Sequence, residues 1–357
     1  MKILLIGGTG FIGHYVLEQL VGAGHRVAAF HRGVTRRALP ESVLEIKGDR
    51  NQLANQRREF SDFAPDVAVD FALSSASQAE GLLQALSGIA PRVVAISSMD
   101  VYRACAVSHG SEEGELQKLP LTEDSELRSK RLYSPEALAA MKAIFNSGWI
   151  TDDYDKIPVE KTILSNSNVA GTILRLPMVY GPGDAAHRLA PLVKRMLDGR
   201  RKIILPQPRA QWRGPKGYVE DVAHAIALAA TSNAARGRVY NIAEADALTE
   251  HEWAQLVAAE MNWDGEFVVL PAQRVPRHLS DPANFAQHWV ASSARIRHEL
   301  GYGEKISRKE AIHRTVAWER EHLPQQLSMK QFDYTAQFDY AAEDAALAAY
   351  AGSAASS

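Results

Sequence analysis

Cysteine is nearly absent from this chain, and so is any excess of positive charge. The 357 residues contain one cysteine, Cys105, so a disulfide framework within the chain is excluded and a cysteine-based zinc site is nearly so. Lys and Arg together number 40, Asp and Glu together number 42, and the formal net charge is −2. Proteins that coat nucleic acid or anionic membranes are usually basic, so the composition disfavours both classes. A chain without disulfides fits a cytoplasmic location, which we expect.

Long apolar runs are also missing, and none approaches the roughly 18–20 residues that a membrane-spanning helix needs. Short runs typical of central parallel strands lie at residues 3–6, 67–72, 93–96 and 171–176. Segments with helical spacing separate several of them. This rhythm predicts βαβ units and therefore an α/β fold with a doubly wound parallel sheet of the Rossmann type. Between residues 103 and 132 the rhythm weakens, which predicts a mobile loop over one end of the sheet.

Three glycines with a spacing of three follow the first predicted strand. The first allows a tight turn, the second lets a pyrophosphate approach the backbone, and the third lets helix and strand pack closely. The N–H groups that begin the next helix then favour a phosphate. The pattern predicts a dinucleotide site, with a plain turn between strand and helix as the alternative. The candidate phosphate-binding residues are Gly7, Thr9, Gly10, Phe11, Ile12 and Gly13.

The end of the second predicted strand is basic where NAD-specific sites carry an acidic residue. Asp and Glu are missing from residues 28–40, whereas Arg32, Arg36 and Arg37 are present. Because an arginine can bind a 2′-phosphate, this pattern favours NADP over NAD as the cofactor. A solvated basic loop is the alternative.

Gly48, Asp49 and Arg50 follow the third predicted strand. The Asp49 carboxylate is placed to accept a hydrogen bond from an adenine amino group, or it caps the next helix. We include Asp49 and Arg50 among the candidate cofactor contacts.

The chain resembles the extended branch of the short-chain dehydrogenase/reductase superfamily, the NAD(P)-dependent epimerase/dehydratases. Five segments in the family's order carry the resemblance, at residues 7–13, 70–72, 97–102, 174–183 and 217–223. It implies an enzyme that exchanges a hydride with a nicotinamide cofactor on a nucleotide-sugar or a similar hydroxyl compound. It also implies that Ala72, Leu73 and Pro177 line the cofactor, and by analogy that the chain forms a homodimer.

The family moves protons with a Ser or Thr and with a Tyr-x-x-x-Lys pair, which this chain matches only in part. Ser98, four residues before Tyr102, matches the Ser that orients the substrate hydroxyl. Lys156, followed four residues later by Glu160, matches the Lys that binds the nicotinamide ribose. Asp152 stands where the Tyr belongs, so the chain resembles an atypical subgroup. That subgroup includes epimerase-like proteins of unknown substrate and, more weakly, chloroplast stem-loop RNA-binding proteins.

Tyr154 lies two residues before Lys156, which in a regular helix separates their side chains by about 200°. Pro158 favours the first turn of a helix, so Tyr154 is expected just before the helix and able to turn into the site. We therefore predict catalytic roles for Ser98, Tyr154 and Lys156. An ordinary packing tyrosine is the alternative for Tyr154.

The resemblance further implies a smaller C-terminal α/β domain that closes over the substrate. It divides the chain into a dinucleotide-binding domain, a substrate domain and a tail, which are expected at residues 1–176 with 214–245, 177–213 with 246–325, and 326–357. We expect Tyr102, Arg188 and Arg213 to contact the substrate.

Residues 187–216 contain ten basic side chains and one acidic side chain, Asp198. A substrate diphosphate would find arginine partners there. The same stretch can instead meet RNA phosphates or form a solvated surface. The hypotheses are therefore an enzyme, a non-catalytic cofactor-binding regulator and, least favoured, an RNA-binding protein. No metal site is assigned, because no His pair has metal-ligand spacing with a carboxylate partner.

Overall fold

The computed structural model describes residues 1–34, 38–145, 148–324, 328–329, 332–333 and 337–354. Its strands are β1 Lys2–Ile6, β2 Arg26–His31, β3 Leu44–Lys47, β4 Val67–Asp70, β5 Arg92–Ser98, β6 Ala170–Leu176, β7 Met178–Tyr180, β8 Lys202–Pro206, β9 Lys216–Tyr218, β10 Val239–Asn241, β11 Glu266–Leu270, β12 Ser328–Met329 and β13 Phe332–Asp333. Its α-helices are α1 Phe11–Gly22, α2 Arg57–Phe63, α3 Ala76–Leu86, α4 Arg103–Ser108, α5 Pro135–Ile144, α6 Lys156–Leu164, α7 Ala190–Leu197, α8 Gln207–Gln211, α9 Val219–Thr231, α10 Glu250–Glu260, α11 Ala294–Leu300, α12 Arg308–His322 and α13 Tyr340–Ala354.

Seven parallel strands form the central sheet, in the order β10-β6-β5-β4-β1-β2-β3. Strand order reverses between β1 and β4, and open α/β sheets bind ligands beyond the carboxyl ends of their strands at such a point. The predicted doubly wound Rossmann sheet is confirmed. The expected site therefore lies where β1, β4 and β5 end.

Both faces of the sheet are covered, which explains the continuous apolar runs. Along β1, Ile3 and Leu5 join the core under α1 and α9, whereas Leu4 and Ile6 join the core under α2, α3 and α6. Successive side chains of a strand point to opposite faces, so a strand covered on both sides must be apolar throughout.

The second half of the chain adds two small parallel sheets, β7 with β9 and β8 with β11. Strand β10 returns to the main sheet beside β6. The exact domain division stays a prediction. Across the described ranges, the structure contains no helix that is both long and apolar enough to cross a membrane.

The segment between residues 103 and 132 is not the open loop that its composition predicts. It begins with α4, and Arg128 is buried with its guanidinium on the carbonyl of Asp100 at 2.9 Å. The carboxylate of Glu112 accepts from the backbone N–H groups of Ser129 and Lys130. These contacts join residues far apart in the chain, which the weak local periodicity could not reveal.

Candidate functional site

The glycine loop between β1 and α1 has the conformation that its spacing predicts. Gly7 has a φ of +81°, a region that favours glycine, and its N–H donates to the Phe30 carbonyl at 2.9 Å. A Cβ at Gly13 would lie 2.7 Å from the Cα of Gly8, so helix and loop meet at a distance that only glycine permits. A Cβ at Gly10 would meet only the Gly7 carbonyl oxygen, at 3.6 Å. The loop therefore packs closely against α1 at Gly13 and leaves space at Gly10, as a site for a phosphate requires.

Helix α1 begins beside this opening with Gly10 as its N-cap, and no acidic residue lies in its first turn. Thr9 is buried, and Phe11 and Ile12 are partly buried. Within the described part of the chain, the N–H groups of Phe11 and Ile12 donate to no backbone carbonyl. Such helix starts attract anions, so this end of α1 suits a pyrophosphate.

The end of β4 forms the neighbouring wall. A Cβ at Gly7 would lie 3.6 Å from the Cβ of Ala72, which shows how closely the two segments approach. The fully buried Asp70 accepts from the Ala72 N–H and from Arg50 Nη2, both at 2.8 Å. Burial raises the pKa of Asp70, although Arg50 acts in the opposite direction. Arg50 also donates to the carbonyls of Ala72 and Gln78, so its guanidinium supports this wall from inside, and a direct contact with the cofactor stays a prediction.

Lys156 is the first residue of α6 and is 4% exposed. Its Nζ donates to the Leu73 carbonyl, just past β4, and to the Ile96 carbonyl of β5 at 3.1 Å. It lies 5.5 Å from the ring centroid of Trp149. Burial lowers the pKa of Lys156 to about 8, against the opposing effect of the Asp100 and Asp70 carboxyls. The ammonium group is thus held between the ends of two central strands.

Residues 152–155 lie just before α6, as the sequence predicts. Asp152 is an exposed residue, paired with Lys142 at 2.5 Å, and does not enter the site. Asp155 caps α6 by accepting from the Ile157 N–H, so Tyr154 lies just before the helix. Tyr154 is 7% exposed, and its ring centroid lies 5.6 Å from Lys156 Nζ.

Two polar residues of the site were missed by the sequence analysis. Asp100 follows β5 and is 6% exposed, and its Oδ2 accepts from the hydroxyls of Tyr133 at 3.2 Å and Tyr154 at 3.5 Å. The two tyrosine rings meet edge to face with centroids 5.6 Å apart. Burial raises the pKa of both tyrosines well above the ordinary value, and the neighbouring Asp100 charge adds to this, so both are hydroxyl donors at neutral pH. No sequence motif linked Tyr133 to Asp100.

Ser98 is half-buried at the end of β5, and its Oγ accepts from the Asp100 N–H at 3.1 Å. Tyr102 corrects the expectation of a substrate contact. It is fully buried, and its hydroxyl donates to Asn241 at 2.6 Å and accepts from Arg175 at 2.9 Å. With no exposed surface and both hydroxyl functions in use, Tyr102 is part of the support beneath the site.

The predicted adenosine contacts lie at the ends of β2 and β3. Arg32 is exposed, and a Cβ at Gly148 would lie 2.3 Å from its Nη1, so its guanidinium rests against that residue. Asp49 accepts from the Asn51 N–H at 2.9 Å, so the capping role weighed for it is present. Arg36 and Arg37 lie outside the described residues.

The predicted substrate residues lie beyond β6. Pro177 is half-buried between β6 and β7. Its ring packs against Gly217, where an added Cβ would lie 2.9 Å from the ring. Arg188 Nη1 donates to Asp184 at 2.6 Å and to the Val179 carbonyl at 2.9 Å. Arg213 is partly exposed and donates to the carbonyl of Ala247.

The basic segment of residues 187–216 is neutralised mostly by acidic residues from outside it. Each of its ten basic side chains has an acidic partner within 4.0 Å, in the pairs His187–Glu319, Arg188–Asp184, Lys194–Asp198, Arg195–Glu343, Arg200–Asp344, Arg201–Asp264, Lys202–Glu266, Arg209–Asp281, Arg213–Glu252 and Lys216–Glu250. Nine of these partners lie outside the segment. A surface that binds RNA phosphates needs uncompensated charge, so the structure gives the RNA-binding hypothesis no support.

Curated relatives match most of the chain at low identity. UDP-glucose 4-epimerase of Corynebacterium glutamicum is 27% identical over 329 residues, covering 85% of this chain and 90% of that protein. The chloroplast stem-loop binding protein of 41 kDa b of Arabidopsis thaliana is 24% identical over 333 residues, covering 87% and 77%. Both are relatives of the kinds that the resemblance names.

Solved structures show the same fold. The crystal structure of the Thermus thermophilus UDP-glucose 4-epimerase in complex with NAD matches with a TM-score of 0.61 and 24% identity, covering 90% of this chain and 99% of that chain. The family model of the NAD dependent epimerase/dehydratase family matches residues 3–243, which include the glycine loop, Asp100 and Lys156 described above. The chain therefore belongs to the NAD dependent epimerase/dehydratase family.

Proposed function

We propose that this protein is an NAD(P)-dependent enzyme that oxidises and reduces a hydroxyl carbon of a nucleotide-sugar or a similar compound, as epimerases, dehydratases and reductases do. The observation that carries the proposal is the glycine loop, tight beneath Gly13 and open above Gly10, beside a lysine held between the ends of β4 and β5. The relatives that are UDP-glucose 4-epimerases support the substrate class.

In this proposal the cofactor lies along the carboxyl edge of the sheet. The start of α1 holds its pyrophosphate, and Ala72, Leu73 and Pro177 border it. When bound, the nicotinamide supplies a hydride acceptor or donor. Lys156 holds the ribose, Ser98 positions the substrate hydroxyl, and Tyr154, whose hydroxyl donates to Asp100, lies at the same end of the site. Arg188 and Arg213 are proposed to bind the substrate phosphates. Each is paired with one acidic side chain, but each guanidinium is partly exposed, and a diphosphate needs its remaining N–H donors rather than a surface of uncompensated charge.

Calorimetric titration and thermal unfolding test this function together. We expect saturable binding of NADP+ or NAD+, followed by a rise in Tm when UDP-glucose or another nucleotide-sugar is added with the coenzyme present. Absence of binding by both coenzymes would refute the proposal. Binding of a coenzyme with no response to any nucleotide-sugar and no hydride transfer would favour the regulator instead.

We further propose that NADP is the preferred cofactor, because the exposed Arg32 directly follows β2, where dinucleotide sites that accept a 2′-phosphate carry an arginine. Arg32→Ala should weaken NADP+ binding about 10- to 100-fold, since hydrogen bonds between charged groups contribute about 1.5–3 kcal/mol, and should leave NAD+ binding within about twofold. Arg26→Ala, an exposed arginine at the opposite end of β2, is the matched control. Equal losses for the two coenzymes would contradict the assignment.

A further inference from the structure

The carboxyl group of Asp100 is held in an unusual way. Its Oδ2 accepts from the Tyr133 and Tyr154 hydroxyls, while its Oδ1 has no hydrogen-bond partner among the described residues, although the residue is only 6% exposed. A buried carboxyl oxygen without a donor is costly, and few native polar atoms are left so. One oxygen of this group is therefore satisfied by the protein, and the other is left for a donor that comes from outside the chain.

The position of Asp100 indicates that this donor is the hydroxyl group of the substrate. Ser98, proposed to orient the substrate hydroxyl, caps the Asp100 N–H. Lys156, proposed to hold the nicotinamide ribose, lies close enough for its charge and that of Asp100 to act on each other. Asp100 thus lies among the groups assigned to the reacting end of the cofactor. The tyrosine that would normally take the proton is replaced by Asp152, which is exposed and paired with Lys142.

We propose that Asp100 is the proton acceptor of this enzyme, with Tyr133 and Tyr154 as the residues that orient its carboxylate. The proposal rests on the proposed function. In the oxidation, the O–H bond of the substrate breaks and its proton goes to Asp100 Oδ1. The electron pair of the adjacent C–H bond leaves as hydride to the oxidised nicotinamide, and the C–O bond becomes a carbonyl. Reduction reverses both transfers, so atoms and charge balance.

The surroundings of Asp100 suit a group that changes protonation during the reaction. Burial raises its pKa, while Arg128 and Lys156 oppose this rise and Asp155 adds to it. Tyr133 and Tyr154 face it as hydroxyl donors, and the buried Cys105 lies near it as a thiol whose own pKa is raised by burial. The oxidised nicotinamide ring carries a positive charge that the reduced ring lacks. Its arrival should stabilise the carboxylate of Asp100 and release a proton from the fraction that is protonated.

Proton release on coenzyme binding tests this without any substrate. We would titrate the full chain calorimetrically with the oxidised and the reduced coenzyme between about pH 5 and 8, in buffers of different ionisation enthalpy. The wild type should release more protons with the oxidised form, and Asp100→Asn should reduce that difference at least fivefold. Asp124→Asn, which changes an exposed acid paired with Arg295, should leave the difference unchanged.

The tyrosines provide a second readout that does not require Asp100 to be changed. Tyr133→Phe and Tyr154→Phe each remove one donor to the carboxylate, so the pKa of Asp100 and the pH midpoint of the proton release should rise by about 1 unit. An oxidised–reduced difference that persists in Asp100→Asn, or a midpoint that does not move in either tyrosine variant, would overturn the proposal. Failure of both coenzymes to bind the wild type would instead refute the proposed function and this inference with it.

Discussion

Gly13→Ala should weaken coenzyme binding about tenfold to a hundredfold, while the same change at Gly22, in the same helix, should not. A Cβ at Gly13 would lie 2.7 Å from the Cα and 2.8 Å from the carbonyl carbon of Gly8, and 2.9 Å from the oxygen of Gly7. These are backbone atoms of the phosphate loop and cannot turn aside as a side chain does. Overpacking of this kind costs about 1–3 kcal/mol, here as displacement of the loop that has to meet the pyrophosphate.

Gly22 is the matched control because a Cβ there would meet no atom within 4 Å. Gly22→Ala should leave the affinity unchanged and stabilise α1 slightly, since alanine is the better helix former. Calorimetric titration of both variants with NAD+ and NADP+ measures the effect. Wild-type affinity in Gly13→Ala would show that the loop does not contact the phosphates.

Arg175→Met should lower the free energy of unfolding by about 3–5 kcal/mol, the cost of leaving a buried charge without its partner. Arg175 and Glu160 are 4% and 3% exposed, and Nη2 lies 2.7 Å from Oε2. Arg175 also donates to the Tyr102 hydroxyl and to the Glu123 carbonyl, and Ser97 donates to Glu160 at 2.6 Å. The same network joins the end of β5 to α6, which carries Lys156.

Urea unfolding of the full chain measures this loss. Arg58→Ala breaks an exposed pair with Asp62, at 3.9 Å, and should change stability by less than about 0.5 kcal/mol. The double variant Glu160→Met and Arg175→Met removes both charges and should be more stable than Arg175→Met alone. If the losses in the free energy of unfolding of the two single variants simply add in the double variant, packing and not the unpaired carboxylate accounts for the cost.

The cofactor half of the site could be predicted from sequence because its signals are local. The spacing of Gly7, Gly10 and Gly13 within seven residues specifies a turn, an approach and a packing contact. Pro158 likewise marks the first turn of α6 and leaves Tyr154 in front of the helix, as the structure shows. The apolar runs identified a sheet covered on both faces for the same reason, since each run reports the environment of its own strand.

Contacts between residues that are distant in sequence could not be predicted in this way. Tyr133 and Asp100 are separated by 33 positions, and no periodicity connects them. Tyr102 belongs to a motif that suggested a substrate contact, yet it is buried because Arg175 and Asn241, from two other strands, take its hydroxyl.

Local structure in this chain follows from the spacing of side chains and the freedom of the backbone. The glycine loop, the parallel sheet and the helix that begins at Lys156 could therefore be predicted from the sequence. Charge compensation and burial depend on which segments meet in space. The basic stretch of residues 187–216 looks like an anion-binding surface in one dimension, but folding brings acidic partners from other segments, some as far along the chain as residues 343 and 344. The placing of Asp100 between two tyrosines is of the same kind: Coulomb and hydrogen-bond energies depend on distance in three dimensions, and that distance is set only when the whole core packs.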